Sequence, residues 1–172
     1  NQTSVYGDSV HLDQVTYTIN DGDVDKGDLK LTLTTNASNL SPVGDYEISI
    51  AGYADNFYVV ATTGKLTITA RPIEVKVNAT VEYGAEFVFN GMFEDVSNSL
   101  VNGDDLNLVL KSNSRQKYSQ VGSYDVVLED NNPNYLVTLS STSALAVTPK
   151  QIEVSIGNAS SQFGEDIDLS TV

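Results

Sequence analysis

Gly64-Lys65-Leu66-Thr67-Ile68-Thr69-Ala70-Arg71-Pro72-Ile73-Glu74-Val75-Lys76-Val77 holds two runs of apolar/polar alternation, Leu66 with Ile68 and Ile73 with Val75 and Val77, joined only by Ala70-Arg71-Pro72. A period of two sends successive side chains to opposite faces of an extended chain, so each run predicts a strand with one buried face. Pro72 has no backbone donor and belongs at an edge or a strand start. The stretch therefore predicts that the last strand of one unit passes through a three-residue joint, residues 70 to 72, into the first strand of the next. A joint this short leaves little freedom to bend, which predicts a stiff rod.

Working outward, the same pattern returns. Leu145-Ala146-Val147-Thr148, then Pro149-Lys150-Gln151, then Ile152-Glu153-Val154 repeats the strand, joint and strand. Tyr6-Gly7-Asp8 recurs as Tyr83-Gly84-Ala85-Glu86 and as Phe163-Gly164-Glu165-Asp166, 77 and then 80 residues further on. Lys26-Gly27-Asp28-Leu29 answers to Asn102-Gly103-Asp104-Asp105-Leu106, Val43-Gly44-Asp45-Tyr46 to Val121-Gly122-Ser123-Tyr124, and Tyr58-Val59-Val60 to Tyr135-Leu136-Val137. A period of about 78 residues is too long for one solenoid turn and fits a small domain repeated in tandem. A domain of that size buries only about 60% of its unfolded surface, so contacts between units should matter. The expected division is a first module over 1–70, a second over 71–149 and the start of a third over 150–172.

The period of two continues through Leu29, Leu31 and Leu33, through Tyr46, Ile48 and Ile50, and through their counterparts Leu106, Leu108, Leu110 and Tyr124, Val126, Leu128. Turn-forming clusters separate the runs, at Asn20 to Asp28, Asn36 to Pro42, Asn90-Gly91 and Asn131 to Asn134. The fold class is all-β, with about six short strands per repeat, Val15 to Ile19 among them. An immunoglobulin-like sandwich hides one face of each strand pair, with Tyr46 and Tyr124 placed to pack inward and tie down a neighbouring loop by their hydroxyls. The alternative is a β-grasp, which needs a helix, and Glu94 to Leu106 is where one fits.

These blocks in this order resemble the MBG-type repeat of bacterial surface proteins. The marks are Tyr6-Gly7-Asp8, the Lys/Asn-Gly-Asp blocks at 26–28 and 102–104, Val-Gly-x-Tyr at 43–46 and 121–124, Asn56-Phe57-Tyr58, and the run Gly64 to Ile73. The second copy departs with Ala85 for Asp, no Gly before Leu145 and a shifted Pro149. The resemblance implies an extracellular, cell-surface or cell-wall protein carrying these modules in tandem, as stalk or as ligand-contact repeats, and implies no catalytic residues.

Composition narrows the partners. With 9 Lys and Arg against 23 Asp and Glu the charge is −14, which repels nucleic-acid phosphates and anionic membranes. No Cys is present, which removes disulfides, thiolate metal sites and a Cys nucleophile, and His11 is the one imidazole, so a multi-His metal site cannot be built. The opening Asn1-Gln2-Thr3-Ser4 reads as that of a processed or excised piece.

The sharpest chemical feature is Asp21-Gly22-Asp23-Val24-Asp25-Lys26-Gly27-Asp28. Carboxylates at alternate positions can converge on Ca²⁺, which makes Asp21, Asp23, Asp25 and Asp28 candidate calcium ligands. The loop departs from an EF-hand, since Gly27 sits one position late and Thr32 stands where the closing Glu belongs, and a solvated acidic turn is the plainer reading. The second copy keeps only Asp104 and Asp105, with Asn98 and Asn102. Pairs such as Asp21 with Asp23 or Asp104 with Asp105 lack the cleft that glycosidase chemistry needs. Tyr53, Tyr58 or Tyr118 are candidates to stack on sugars, Lys30 or Lys76 to form an isopeptide crosslink, and His11 is expected at the surface.

The expected function is a non-catalytic stalk or adhesion segment, with neighbouring repeats as partners. The alternative is a module that binds a host glycan or protein, and a hydrolase is the remotest reading. Phase adds one expectation: residues 151–156 form a first strand without its module, able to fill the vacant edge of another molecule's first repeat and associate head to tail.

Overall fold

The computed structural model describes residues 1–53, 56–89, 93–101, 103–112, 116–158 and 160–166, the side chain of Tyr53 excepted. The expected turn at Asn90-Gly91 lies outside these residues, as does Asn102. The chain is all-β. Twelve strands are described: β1 Gln2–Val5, β2 Lys30–Thr34, β3 Gly44–Tyr53, β4 Gly64–Thr69, β5 Arg71–Lys76, β6 Asn78–Glu82, β7 Glu94–Asp95, β8 Val109–Lys111, β9 Gly122–Asp125, β10 Val127–Asp130, β11 Tyr135–Leu139 and β12 Ala144–Thr148.

Among the described residues no strand pairing crosses residue 70. On one side β1, β4, β3 and β2 form a four-stranded sheet in that order, with β1 parallel to β4 and the rest antiparallel. On the other side lie three sheets, β11-β5-β7, β6-β12-β9 and β10-β8. The repeat is visible in this wiring, since β6-β12-β9 with β10-β8 reproduces β1-β4-β3-β2, the long β3 being split into β9 and β10.

β4 and β5 are separated by Ala70 alone, and β5 and β6 by Val77 alone. The break is thus one residue, not three: Arg71 and Pro72 belong to β5, and Pro72 stands second in its strand. Between Arg71 and Glu82 only Val77 interrupts the strands, while the parallel partner changes from β11 to β12 and residues 140–143 connect those two. Ser143 Oγ accepts the Val77 amide at 3.1 Å and Val77 O accepts the Ala144 amide at 2.8 Å, so no backbone group is orphaned at the step.

Alternation decides which faces are buried. Leu66 and Ile68 of β4, Ile73 and Val75 of β5, Ala79 and Val81 of β6, and Leu145 and Val147 of β12 are all buried while their neighbours are not. One core gathers Tyr6, Ile48, Leu66 and Ile68 with Ile73, Val75, Leu106 and Tyr135, so it draws on both sides of residue 70. A second collects Ala79, Val81, Leu145 and Val147, flanked by Phe87 and Phe89 edge to face at 5.0 Å.

Several expected elements differ. Among the described residues Glu94 to Leu106 carries the short β7 and no helix, which removes the support for a β-grasp. β8 begins only at Val109: Asn107 adopts a left-handed φ of 48°, its amide held by Asp105 Oδ1 at 2.8 Å, and this interrupts extended pairing after the fully buried Leu106. Val15 to Ile19, Tyr58 to Val60 and Ile152 to Ile156 are not strands. All three have extended-strand composition, and among the described residues no strand pairs with them.

Candidate functional site

The joint around Ala70 is built from the residues the repeat marks. Tyr6 N donates to Thr69 O at 2.9 Å, which places the ring of Tyr6 just beyond the end of β4. There it meets Tyr135 edge-on, ring centroids 5.6 Å apart and planes at 76°. Tyr135 Oη donates to Asp104 Oδ2 at 2.6 Å and accepts the Val101 amide at 3.0 Å. Burial first, then the Asp104 carboxylate, pushes the Tyr135 hydroxyl up to about 12, and the same two causes raise Tyr6.

Arg71 ties the two sides together electrostatically. Its Nε donates to Tyr6 O at 2.6 Å and its guanidinium pairs with Asp8, the third residue of the Tyr-Gly-Asp block. Asn134 completes the seam, with Oδ1 accepting the Val43 amide at 3.0 Å and its carbonyl accepting the Arg71 amide at 2.9 Å. Gly7 sits in this seam at φ +86°, where a Cβ would come within 2.5 Å of Val101 Cγ2. Nearby, Asp95 accepts the Ser97 amide and hydroxyl at 3.0 and 2.9 Å and the Leu100 amide at 2.9 Å. Burial acts to raise Asp95, and these donors outweigh it and hold the carboxyl below its ordinary value.

The same Tyr-Gly pair has a second environment. Tyr83 N donates to Thr148 O at 2.9 Å, the bond that Tyr6 makes to Thr69. Yet Tyr6 is 5% exposed beneath Tyr135 and Arg71, whereas Tyr83 is 39% exposed and meets only Tyr118, at 6.1 Å, among the described rings. Among the described residues past Thr148, Ile152, Val154, Ile156 and Phe163 are all exposed.

No family model, curated protein or solved structure matches this chain.

A second feature is an open groove of about 650 Å³, lined by Leu31 and Leu33 of β2, Ile48 and Ile50 of β3, and by residues 15–19 and 57–61 among others. Exposure along one side alternates, 43% at Phe57, 94% at Tyr58, 39% at Val59 and 82% at Val60. In β11 the buried Tyr135 precedes Leu136 at 61%. The repeat therefore aligns Phe57, not Tyr58, with Tyr135, a shift of one residue from the alignment drawn on the tyrosines alone.

The candidate calcium ligands Asp21, Asp23, Asp25 and Asp28 are all exposed. Asp21 Oδ1 accepts the Asp23 amide at 3.1 Å, Lys26-Gly27-Asp28 forms a 3-10 turn, and Lys26 Nζ lies 4.7 Å from the Tyr17 ring centroid. Among the described residues no three His, Asp or Glu side chains come together as a metal cage. Asp104 is taken by Tyr135 and Asp105 by the Asn107 amide. In their ladders Lys30 stands opposite Tyr53 and Lys76 opposite Glu94, neither of them the Asn or Asp an isopeptide needs. His11 is exposed, its Nδ1 3.5 Å from Asp13. Tyr58 and Tyr118 are exposed.

Asp104, Tyr135 and Tyr6 were each visible as motif members, but nothing in their spacing announced their contact. The Asp95-organised turn had a local signal, Asp-x-Ser before a loop, which favours side-chain-to-backbone bonding.

Proposed function

We propose that the chain is a run of small immunoglobulin-like β-sandwich modules in tandem, similar to the MBG-type repeats, serving as a non-catalytic stalk segment of a bacterial surface protein. The observation that carries this is the joint: β4 passes into β5 across Ala70, and Tyr6 of the first repeat is buried by Tyr135 and Arg71 of the second. A one-residue break plus a shared core supports a stiff connection, which is the property a stalk requires. The charge of −14 keeps successive similar sheets apart in solution and extended.

The exposed aromatics support a spacer over a ligand-binding module. They divide among Phe57-Tyr58, the Tyr83–Tyr118 pair and Phe163, instead of gathering on one described surface.

Small-angle X-ray scattering on chains of two, four and six repeats tests the reading. A maximum dimension that grows linearly with repeat number supports it; a plateau, or growth as the square root, overturns it. A glycan array with the same chains distinguishes the alternative, since saturable binding at one repeat would favour a contact module.

A further inference from the structure

The second repeat is entered and left through neighbouring strands that run in the same direction. The chain comes in along β5 and β6, with Val77 alone between them, and goes out along β11 and β12. β5 is parallel to β11 over Arg71 to Val75, and β6 is parallel to β12 over Asn78 to Glu82, five partner pairs in each. Further backbone bonds join the two limbs at the ends and at the step. Arg71 N donates to Asn134 O at 2.9 Å at the start, Ser140 N to Val75 O and Ala144 N to Val77 O at 2.8 Å in the middle, and Tyr83 N to Thr148 O at 2.9 Å at the end.

The parallel sense decides how a pull along the chain acts. Tension draws the β5–β6 limb by its N-terminal end and the β11–β12 limb by its C-terminal end, so the two are driven past each other along their own length. The bonds between parallel strands are evenly spaced, and they share such a load. An antiparallel pair pulled from one end meets it bond by bond; β2 and β3, joined by residues 35–43, have that geometry. Side chains oppose sliding as well. Ile73 and Val75 pack in one core with Tyr135, and Ala79 and Val81 in the other with Leu145 and Val147. A slip of one residue cannot keep both the ladder and these buried faces.

The arrangement recurs in series. β1 and β4 are parallel too, and Tyr6 N donates to Thr69 O where Tyr83 N donates to Thr148 O. β4 then passes into β5 across Ala70, so the strand that carries load out of one ladder leads directly into the strand that carries it into the next. We infer that the second repeat is a load-bearing unit: a pull along the chain sets the β5–β6 limb against the β11–β12 limb in shear, and the paired ladder fails as a whole before the repeat unfolds. The inference goes beyond stiffness and rests on the stalk reading for the source of the load. The two fail separately, because scattering reports length at rest and pulling reports resistance of the folded repeat.

Single-molecule pulling on the full chain tests it, with handles on introduced cysteines, whose positions are unambiguous because the chain has no Cys of its own. Pro72→Cys with Lys150→Cys applies the load in shear across both ladders. Glu82→Cys with Lys150→Cys applies it at one end of β6 and β12, where the bonds open in turn. Glu74→Cys with Lys150→Cys keeps Pro72 and still sets β6 against β12 in shear. All four sites are exposed. At one pulling speed both shear pairs are expected to need a several-fold higher force than the Glu82 pair, and the Pro72 pair to release the whole repeat in one step. Equal forces, a higher force for the Glu82 pair, or stepwise release at low force from the Pro72 pair overturns the inference.

Discussion

The ring of Tyr6 stands edge-on to the ring of Tyr135, their centroids 5.6 Å apart, inside the core that draws on both sides of residue 70. Burial and the Asp104 hydrogen bond hold the Tyr135 proton to about 12, against 10.0 for an ordinary tyrosine. A folded-state value raised in this way stabilises fully below the unfolded value and is lost as pH climbs through the folded one. The melting temperature is therefore expected to fall steeply between about pH 10 and pH 12, followed by tyrosinate absorbance. Tyr135→Phe flattens that dependence and costs about 1–3 kcal/mol at neutral pH, because Asp104 and the Val101 amide lose their partner.

Gly7 and Gly84 occupy the same place in their repeats with nearly the same backbone, φ +86° and +81°. Their surroundings differ: a Cβ on Gly7 meets Val101 Cγ2 at 2.5 Å, one on Gly84 meets only Tyr118 at 3.6 Å. Gly84→Ala is expected to cost the left-handed backbone alone, about 1–2 kcal/mol. Gly7→Ala adds a collision with a short branched side chain, about 1–3 kcal/mol more. Urea midpoints of the two variants check the difference.

Tyr46 Oη donates to Pro42 O at 2.8 Å and Tyr124 Oη to Gln120 O at 2.7 Å, the same four-residue tie in both repeats. Removing either hydroxyl by Tyr→Phe is expected to lower stability by about 0.5–1.5 kcal/mol. Thermal unfolding should show similar losses for the two.

Asp95 is held ionised by the three donors it accepts, so its contribution is present above the ordinary carboxylate value and is lost as pH falls through its lowered folded value. Asp95→Ala is expected to destabilise by about 1–3 kcal/mol at pH 7. The gap between variant and wild type closes as the pH is taken below the carboxylate range. Denaturant titrations at neutral and acid pH measure it.

The exposed Asp21-to-Asp28 turn does not gather its carboxylates. Saturating Ca²⁺ is expected to leave the melting temperature where a chelator leaves it, with no binding heat in a calorimetric titration.

How far the sequence carries is clearest in two stretches of like pattern. Ile73 to Val77 and Ile152 to Ile156 share the alternation Ile-x-Val-x-(Val/Ile), and either would be read as a strand. One is buried between two neighbours and the other lies open, because a ladder needs a partner and alternation supplies only a face. Phe57 and Tyr58 make the same point one residue at a time: chemistry alone favours matching Tyr58 to Tyr135, and only exposure along the groove wall sets the register at Phe57.

By itself the sequence determined the β class, the period of about 78 residues, the strand-to-strand passage near residue 70 and the tie made by Tyr46 and Tyr124. These depend on alternation and on contacts a few residues apart, which local order carries. The tertiary structure decided the rest. Tyr6, Asp104 and Tyr135 meet across long separations and the passage shrinks to Ala70, since each depends on which strands lie side by side. Pairing of distant backbones is a property of the assembled sheet, and no single segment encodes it.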